Sequence, residues 1–410
     1  MTQVALEFPR RQWLDGKFID LMNIGKNDIT YLDNNATTQI APEVVEAMLP
    51  YLTDFYGNPS SAYRFGNQIT LALEKVREQV AALLGADPRE IVFTSCGTES
   101  DNAAISSALI TQPGKKHVVI SNVEHSAVKK QAEFLESQGC EVTRLPVDAA
   151  GMIPPTALEA ALRPDTAIVS IMWANNETGV LLPVEEFAAI CKAKNVLFHT
   201  DAVQAVGKIP INLSSSKIDM LSISGHKLHC PKGVGALFVR KRVKFQPFSI
   251  GGGQERGRRG GTENVASIVA LGRACELALE RMTDENTRVR KLRDDLENGL
   301  LTRIPDTGIN GAASPRLPNT TSLAIANLEA EALLAHLDRE GICASSGSAC
   351  TTGSLEPSHV LRAMGLSDEL AKGSIRLSLG FYNSQADIDK ALEALPRIVG
   401  KLRGAAATAA

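Results

Sequence analysis

The sequence predicts an α/β fold with a mostly parallel sheet, and three observations carry that expectation. Short apolar runs recur between longer stretches of helical periodicity, the alternation of strand–helix units. The chain has 410 residues, 44% of them hydrophobic and 22% charged, enough for a large core and for two or three domains. Two chemically distinctive residues, Asp201 and Lys227, each follow an apolar run and are separated by 26 positions (227 − 201), about one strand–helix–strand repeat.

In chain order, strands are expected at 91–94, 117–121, 167–172, 196–201, 220–224 and 234–239. Helices fall between them. The run 69–84 has apolar residues at helical spacing and stops at Gly85, and 127–138 and 183–194 read the same way. From 264 to about 301 the pattern is one or two long helices, followed by Pro305, Pro315 and Pro318 and then by a separate unit from 320 to 402. A large α/β domain is therefore expected at 37–265 and a smaller α+β domain at 266–403, the latter completed by 24–36. Residues 1–23 read as an N-terminal arm and 404–410 as an alanine-rich tail.

Charge excludes several classes of partner. Lys plus Arg number 43 against 46 Asp plus Glu, a balance of −3, which asks for neither nucleic acid nor an anionic membrane surface. No window approaches the roughly 18 consecutive apolar residues of a membrane span. The first thirty residues carry acids and bases throughout, unlike a signal or transit peptide. Seven cysteines cannot all pair, so free thiols in a reducing compartment such as the cytoplasm are expected.

Chemistry concentrates in six places. Lys227, in Ser222-Ile223-Ser224-Gly225-His226-Lys227, lies just past an apolar strand, where desolvation leaves some neutral amine to form an imine; in a surface turn it would carry no chemistry. Asp201 ends its own strand and is followed by Gln204. A carboxylate there can hold a proton on a pyridine nitrogen, or merely cap a helix. In Thr94-Ser95-Cys96-Gly97-Thr98-Glu99-Ser100 a strand runs into a helix, giving a phosphate cup or an ordinary capping box. His125, after strand 117–121, suits stacking on a flat ring and proton transfer, or core packing. The glycine-rich run 251–262 holds Arg256, Arg258 and Arg259 but lacks the G-x-G-x-x-G spacing of a dinucleotide loop. Cys350 sits among small polar residues, in Ser345-Ser346-Gly347-Ser348-Ala349-Cys350, with no apolar anchor, as a reactive thiol on a loop would. Cys140, Cys191 and Cys275 instead fall within packing patterns, while Cys96 and Cys343 have no evident role.

Together these segments resemble the cysteine desulfurases, pyridoxal-phosphate enzymes of the class V aminotransferase, fold type I superfamily. The resemblance runs from Tyr31-Leu32-Asp33-Asn34-Asn35-Ala36-Thr37-Thr38 to about Leu402. The long cysteine loop and the run Leu355-Glu356-Pro357-Ser358-His359-Val360 are most similar to the nitrogen-fixation type of the NifS/IscS branch. It implies a large domain on a mostly parallel seven-stranded sheet plus a smaller α+β domain, with pyridoxal 5'-phosphate as cofactor and L-cysteine as substrate. Lys227 would be the Schiff-base lysine, Asp201 the partner of the ring nitrogen, and His125 the stacking residue. Asn176 and Gln204 would contact the ring oxygen; Gly97, Thr98, Ser224 and His226 would hold the phosphate, with Thr262 reaching across from a second subunit of a homodimer. Arg376, helped by Asn35, would clamp the substrate carboxylate.

By the same resemblance the catalytic set is Cys350, Lys227 and His125, and the products are alanine and a Cys350 persulfide. The sulfur would pass to an iron–sulfur scaffold protein, in nitrogenase or other cluster assembly, with Cys350 as a transient 2Fe-2S ligand shared with that partner. A selenocysteine lyase or related lyase would use the same cofactor residues. The sequence departs from the family's usual pattern at Cys96, at Thr352 and in residues 1–23.

Overall fold

The computed structural model describes residues 29–346 and 356–409. The expected arm at 1–23 and the expected nucleophile Cys350 lie outside the described residues. Twelve strands are described: β1 Thr30–Tyr31, β2 Ile91–Thr94, β3 His117–Ser121, β4 Glu141–Leu145, β5 Thr166–Ser170, β6 Leu197–Asp201, β7 Met220–Ser224, β8 Gly235–Val239, β9 Thr307–Ile309, β10 Thr320–Ile325, β11 Ile342–Cys343 and β12 Ser374–Ser378.

Seven of them form one sheet in the order β2-β8-β7-β6-β5-β3-β4. Its strands run parallel except β8, which is antiparallel to both neighbours. Strands β2, β3, β5, β7 and β8 are buried along their whole length because helices cover both faces, which is why their sequences are continuous apolar runs without alternation. One core lies on each face. The first gathers Phe93, Val169, Phe187 and Phe198, and the second Val92, Ile105, Ile120 and Leu237. Strand β4 lies at the sheet edge with exposed and half-buried side chains, so it has no apolar run and was not expected from the sequence.

The helix Arg64–Leu84 buries Leu73, Val76, Val80 and Leu84, an i, i+3, i+7, i+11 stripe, against the first core. It stops where Gly85 turns left-handed at φ 60°. The helix Val265–Glu280 buries Ile268, Leu271 and Leu277 in that same core.

A second body is built on β12-β10-β9, an antiparallel sheet. Its core joins Leu323 and Leu377 to Leu296 of the helix Arg290–Arg303 and to Ile388 and Leu395 of the helix Gln385–Ala409. The sequence put the domain seam at 265/266; the earliest residue of this core after Leu32 is Val289. Leu32 belongs to it because β1 pairs parallel with β11, tying the early segment to this body. Among the described residues no helix is long and apolar enough to cross a membrane.

Candidate active site

Because β2, β3, β5, β6 and β7 point the same way, the segments leaving their carboxyl ends gather on one edge of the sheet. They enclose a cavity of about 360 Å³, and β12 closes it from the other body with Arg376. The single turn Gly225–Lys227 follows β7 directly and turns Lys227 into this space. Its Nζ donates to the carbonyl oxygens of Asn35 and Ala36, the latter at 2.7 Å. Burial, with the charges of Arg376 and Lys208, pushes its pKa down to about 7, against smaller opposing effects of Asp33 and Asp201. A sizeable share of neutral amine is thus present at neutral pH.

Asp201 ends β6, the strand next to β7, and lines the cavity. It accepts the Val203 N–H at 2.9 Å. Burial raises its pKa, while His125 and Lys227 nearby pull it back down. His125 caps the helix Ser126–Ser137, its Nδ1 accepting the Ala127 N–H at 3.2 Å, so a neutral ring carries its proton on Nε2.

Gly97 and Thr98 open the helix Gly97–Thr111 at the cavity wall. A side chain at position 97 would put its Cβ 2.8 Å from Val203 Cγ2 and force that side chain to shift. Asn176, Gln204, Ser224 and His226 line the same space. The imidazole of His226 contacts Thr37 Oγ1 at 3.2 Å, and burial together with Lys227 lowers its pKa to about 4. Gln204 Nε2 holds Asn35 O at 3.0 Å, leaving its Oε1 without a donor; Ser224 Oγ is likewise buried without a partner.

Arg376 is 3% exposed and donates to Asp33 Oδ1 at 2.6 Å and to Asn176 O at 2.8 Å, with Nε buried and unpartnered. The Asn35 side chain is fully engaged, giving hydrogen bonds to Asn176 O and Thr320 Oγ1 and taking one from Asn319. Thr262 lines a separate cavity of about 250 Å³ with Thr94 and Ser95. Among the described residues no group of three or more His, Cys, Asp or Glu is placed to hold a metal ion.

Residues 30–391 match the model of the aminotransferase class-V family. The chain is 57% identical over 375 residues to a cysteine desulfurase of Trichormus azollae, covering 92% of this chain and 94% of that one. It is 53% identical over 374 residues to cysteine desulfurase NifS of Azotobacter vinelandii, covering 91% and 93%. The chain belongs to the cysteine desulfurases of the class-V aminotransferase family. Among solved structures, a NifS-like protein of Rickettsia africae superposes with a TM-score of 0.82 at 35% identity, covering 90% of this chain and 99% of that one. Another NifS-like protein reaches 0.84 at 40% identity, covering 90% and 99%.

Pyridoxal 5'-phosphate is the cofactor expected of such a desulfurase, and the cavity suits it on its own donors and acceptors. The orphaned Gln204 Oε1 and Ser224 Oγ, the helix start at Gly97, a buried carboxylate and a desolvated amine converge on one space.

Sequence reasoning missed three residues of this desulfurase site. Asp101 lines the cavity one helical turn beyond Gly97, a spacing that could have revealed it. It is 1% exposed, and its Oδ1 lacks a hydrogen bond and lies 3.7 Å from His199 Nε2. Burial and then Asp201 push its pKa well up. Asp33 holds Arg376 from 343 positions away, and Lys208 stands behind Lys227; neither leaves a local sequence signal.

Proposed function

We propose that this cavity carries the cysteine desulfurase reaction, with Lys227 as the amine that binds the cofactor and moves the α-proton of L-cysteine. The observation that carries the proposal is the convergence of Lys227 and the buried Asp201, from the ends of neighbouring strands, on one space. Bound there, pyridoxal phosphate would supply an aldehyde for the lysine and a protonated ring that accepts the electrons of a broken Cα–H bond. Asp201, the partner of the ring nitrogen, keeps that nitrogen protonated. His125 lines the same space and would stack on the ring, its Nε2–H serving as a second proton carrier. Gly97, Thr98, Ser224 and His226, which line the cavity, would hold the phosphate, and Asn176 and Gln204 would face the ring oxygen.

Arg376 receives the substrate carboxylate through the buried Nε and the guanidinium edge now held by Asp33, with Asn35 fixing the wall beside it. Cys350 takes the sulfur: L-cysteine and the Cys350 thiol give L-alanine and a Cys350 persulfide, with atoms and protons balanced. The likeness to NifS supports delivery of that sulfur to an iron–sulfur scaffold, for nitrogenase or other clusters, with Cys350 as a passing 2Fe-2S ligand.

The described residues Val45, Leu49, Leu52, Tyr56 and Tyr63 expose 44 to 77% of their surface on neighbouring segments, an apolar face that supports a homodimer. In that dimer Thr262 would contribute to the partner's phosphate site. The described cysteines are all free, in keeping with the cytoplasm.

The test is a stoichiometric assay of alanine and sulfide from L-cysteine with reductant. Cys350→Ala should keep the cofactor's visible band and lose sulfide release; Lys227→Ala should lose the borohydride-sensitive band. Full sulfide turnover in the first, or an unchanged band in the second, removes the corresponding role. Faster turnover of selenocysteine than of cysteine would favour a selenocysteine lyase.

A further inference from the structure

Behind Lys227, on the side away from the cofactor cavity, a second and smaller cavity of about 40 Å³ lies where the two bodies meet. That is room for at least one water molecule. Lys227, Lys208, Glu285, His229 and Arg281 all reach its wall. Lys208 is 6% exposed, and its ammonium gives one long hydrogen bond, to Gln204 O at 3.3 Å. Glu285 is 9% exposed and opens the π-helical turn Glu285–Val289, a distortion that often marks function. Asn286, its neighbour, donates to the backbone oxygen of Lys208 at 2.9 Å, which ties this turn to the lysine's own segment.

A buried lysine and a buried glutamate with so few hydrogen bonds are costly, and the cofactor reading gives neither a task. We propose that Lys208, faced by Glu285 across this cavity, is a positioning residue for Lys227: its ammonium repels a proton from the neighbouring amine and so keeps that amine nucleophilic.

The surrounding charges agree. Lys227 feels burial first, then Arg376 and Lys208 as like charges, with Asp33 and Asp201 opposing. Lys208 is pushed down to about 8 by burial, and Glu285 holds part of its charge in place. Glu285, pushed up to about 7 by burial, faces Lys208, Asp284 and Arg288. Pulled down to about 4 mainly by burial, His229 stays neutral at pH 7, and Arg281 is tied to Glu43 at 2.9 Å. Lys208 is thus a cation at pH 7 facing Lys227 across the cavity. Placing one ammonium near another is an established way to activate an amine.

The inference rests on Lys227 being the amine that captures the cofactor, and its test separates the two. The full-length chain is stripped of cofactor, and the rate at which it takes up pyridoxal phosphate is followed by visible absorption across pH. Only neutral Lys227 attacks the aldehyde, so the profile has a midpoint at its proton affinity. Lys208→Met keeps the apolar stem and removes the charge; its midpoint should rise by about one pH unit, leaving about fivefold less reactive amine at pH 7. The double variant K208M/E285Q, which leaves neither group able to ionise, should shift in the same direction. A folded variant with an unmoved midpoint overturns the proposal. On the unsubstituted chain, lysines labelled with 13C at Cε give an answer that needs no substitution: Lys208 must keep its proton to higher pH than Lys227, and the reverse order overturns the proposal. Lys227→Ala tests the underlying reading alone, since capture that survives it would mean that another amine holds the cofactor.

Discussion

Two buried charged regions of this molecule face opposite ways in their hydrogen bonding. In the first, Arg77 and Glu255 meet in a two-pronged pair at 2.6 and 2.7 Å. Arg77 also gives hydrogen bonds to Ile91 O and Glu74 and lies 4.5 Å over the Phe93 ring; Glu255 also accepts the Phe93 N–H at 2.8 Å. Around Lys227, by contrast, Arg376 Nε, Gln204 Oε1, Ser224 Oγ and Asp101 Oδ1 are buried without partners. Burial alone therefore does not separate structure from function. A buried polar cluster whose members satisfy one another holds the chain together, and one whose members point unsatisfied into a common space waits for a ligand.

The largest effect that would break this contrast lies in the satisfied region. Glu255→Ala leaves the buried Arg77 guanidinium with only the half-exposed Glu74 as counterion and the Phe93 N–H without its acceptor, a loss of about 3 kcal/mol. Denaturant melting should show it, while the folded fraction keeps kcat and KM near their starting values. A melting point close to that of the parent chain would mean that the pair is dispensable and the contrast empty.

The complementary change is Asp201→Asn. It keeps an oxygen for the Val203 N–H but cannot hold a proton on a ring nitrogen, so kcat should fall by about two to three orders of magnitude. Stability should hold or rise, because a buried carboxylate becomes a neutral amide. A loss of stability without a loss of rate would move Asp201 to the structural side.

How far the sequence foretold these regions depends on how local each signal is. The buried strands of the main sheet were legible because both faces are covered and each strand is one apolar run; Glu141–Leu145 was not, because an edge strand keeps polar side chains. Lys227, Asp201 and His125 could be read because each closes or follows a strand, and topology brings strand ends together. By composition alone, three arginines among the glycines of 251–262 would suit an anion. In the fold Arg256 pairs with Glu74, Arg259 with Glu99, and Arg258 reaches the carbonyl oxygens of Arg89 and Ile91. Glu255, from the same loop, is the core counterion of Arg77. Spacing gives composition and direction, but pairings across 160 or more positions, such as Arg259 with Glu99, exist only after folding.

The smallest test sharpens the contrast through pH. His117 is fully buried in β3, its two ring nitrogens at 2.8 Å from Thr166 Oγ1 and Thr143 Oγ1, a satisfied group far from any proposed chemistry. Burial, and then the charge of Arg163, lowers its pKa from the ordinary 6.5. Below about that pH an unfolded chain takes up a proton at this histidine while the folded chain does not, so unfolding gains a proton and stability falls as pH drops. The slope from this one residue is at most about 1.4 kcal/mol per pH unit. His117→Gln retains a donor and an acceptor but does not titrate. Its stability should therefore be lower than the parent's at pH 7.5 and should close on it toward pH 5.5, with kcat unchanged. Parallel pH curves for the two proteins would show that His117 is as easily protonated folded as unfolded, and that full hydrogen bonding in this core does not exclude a charge.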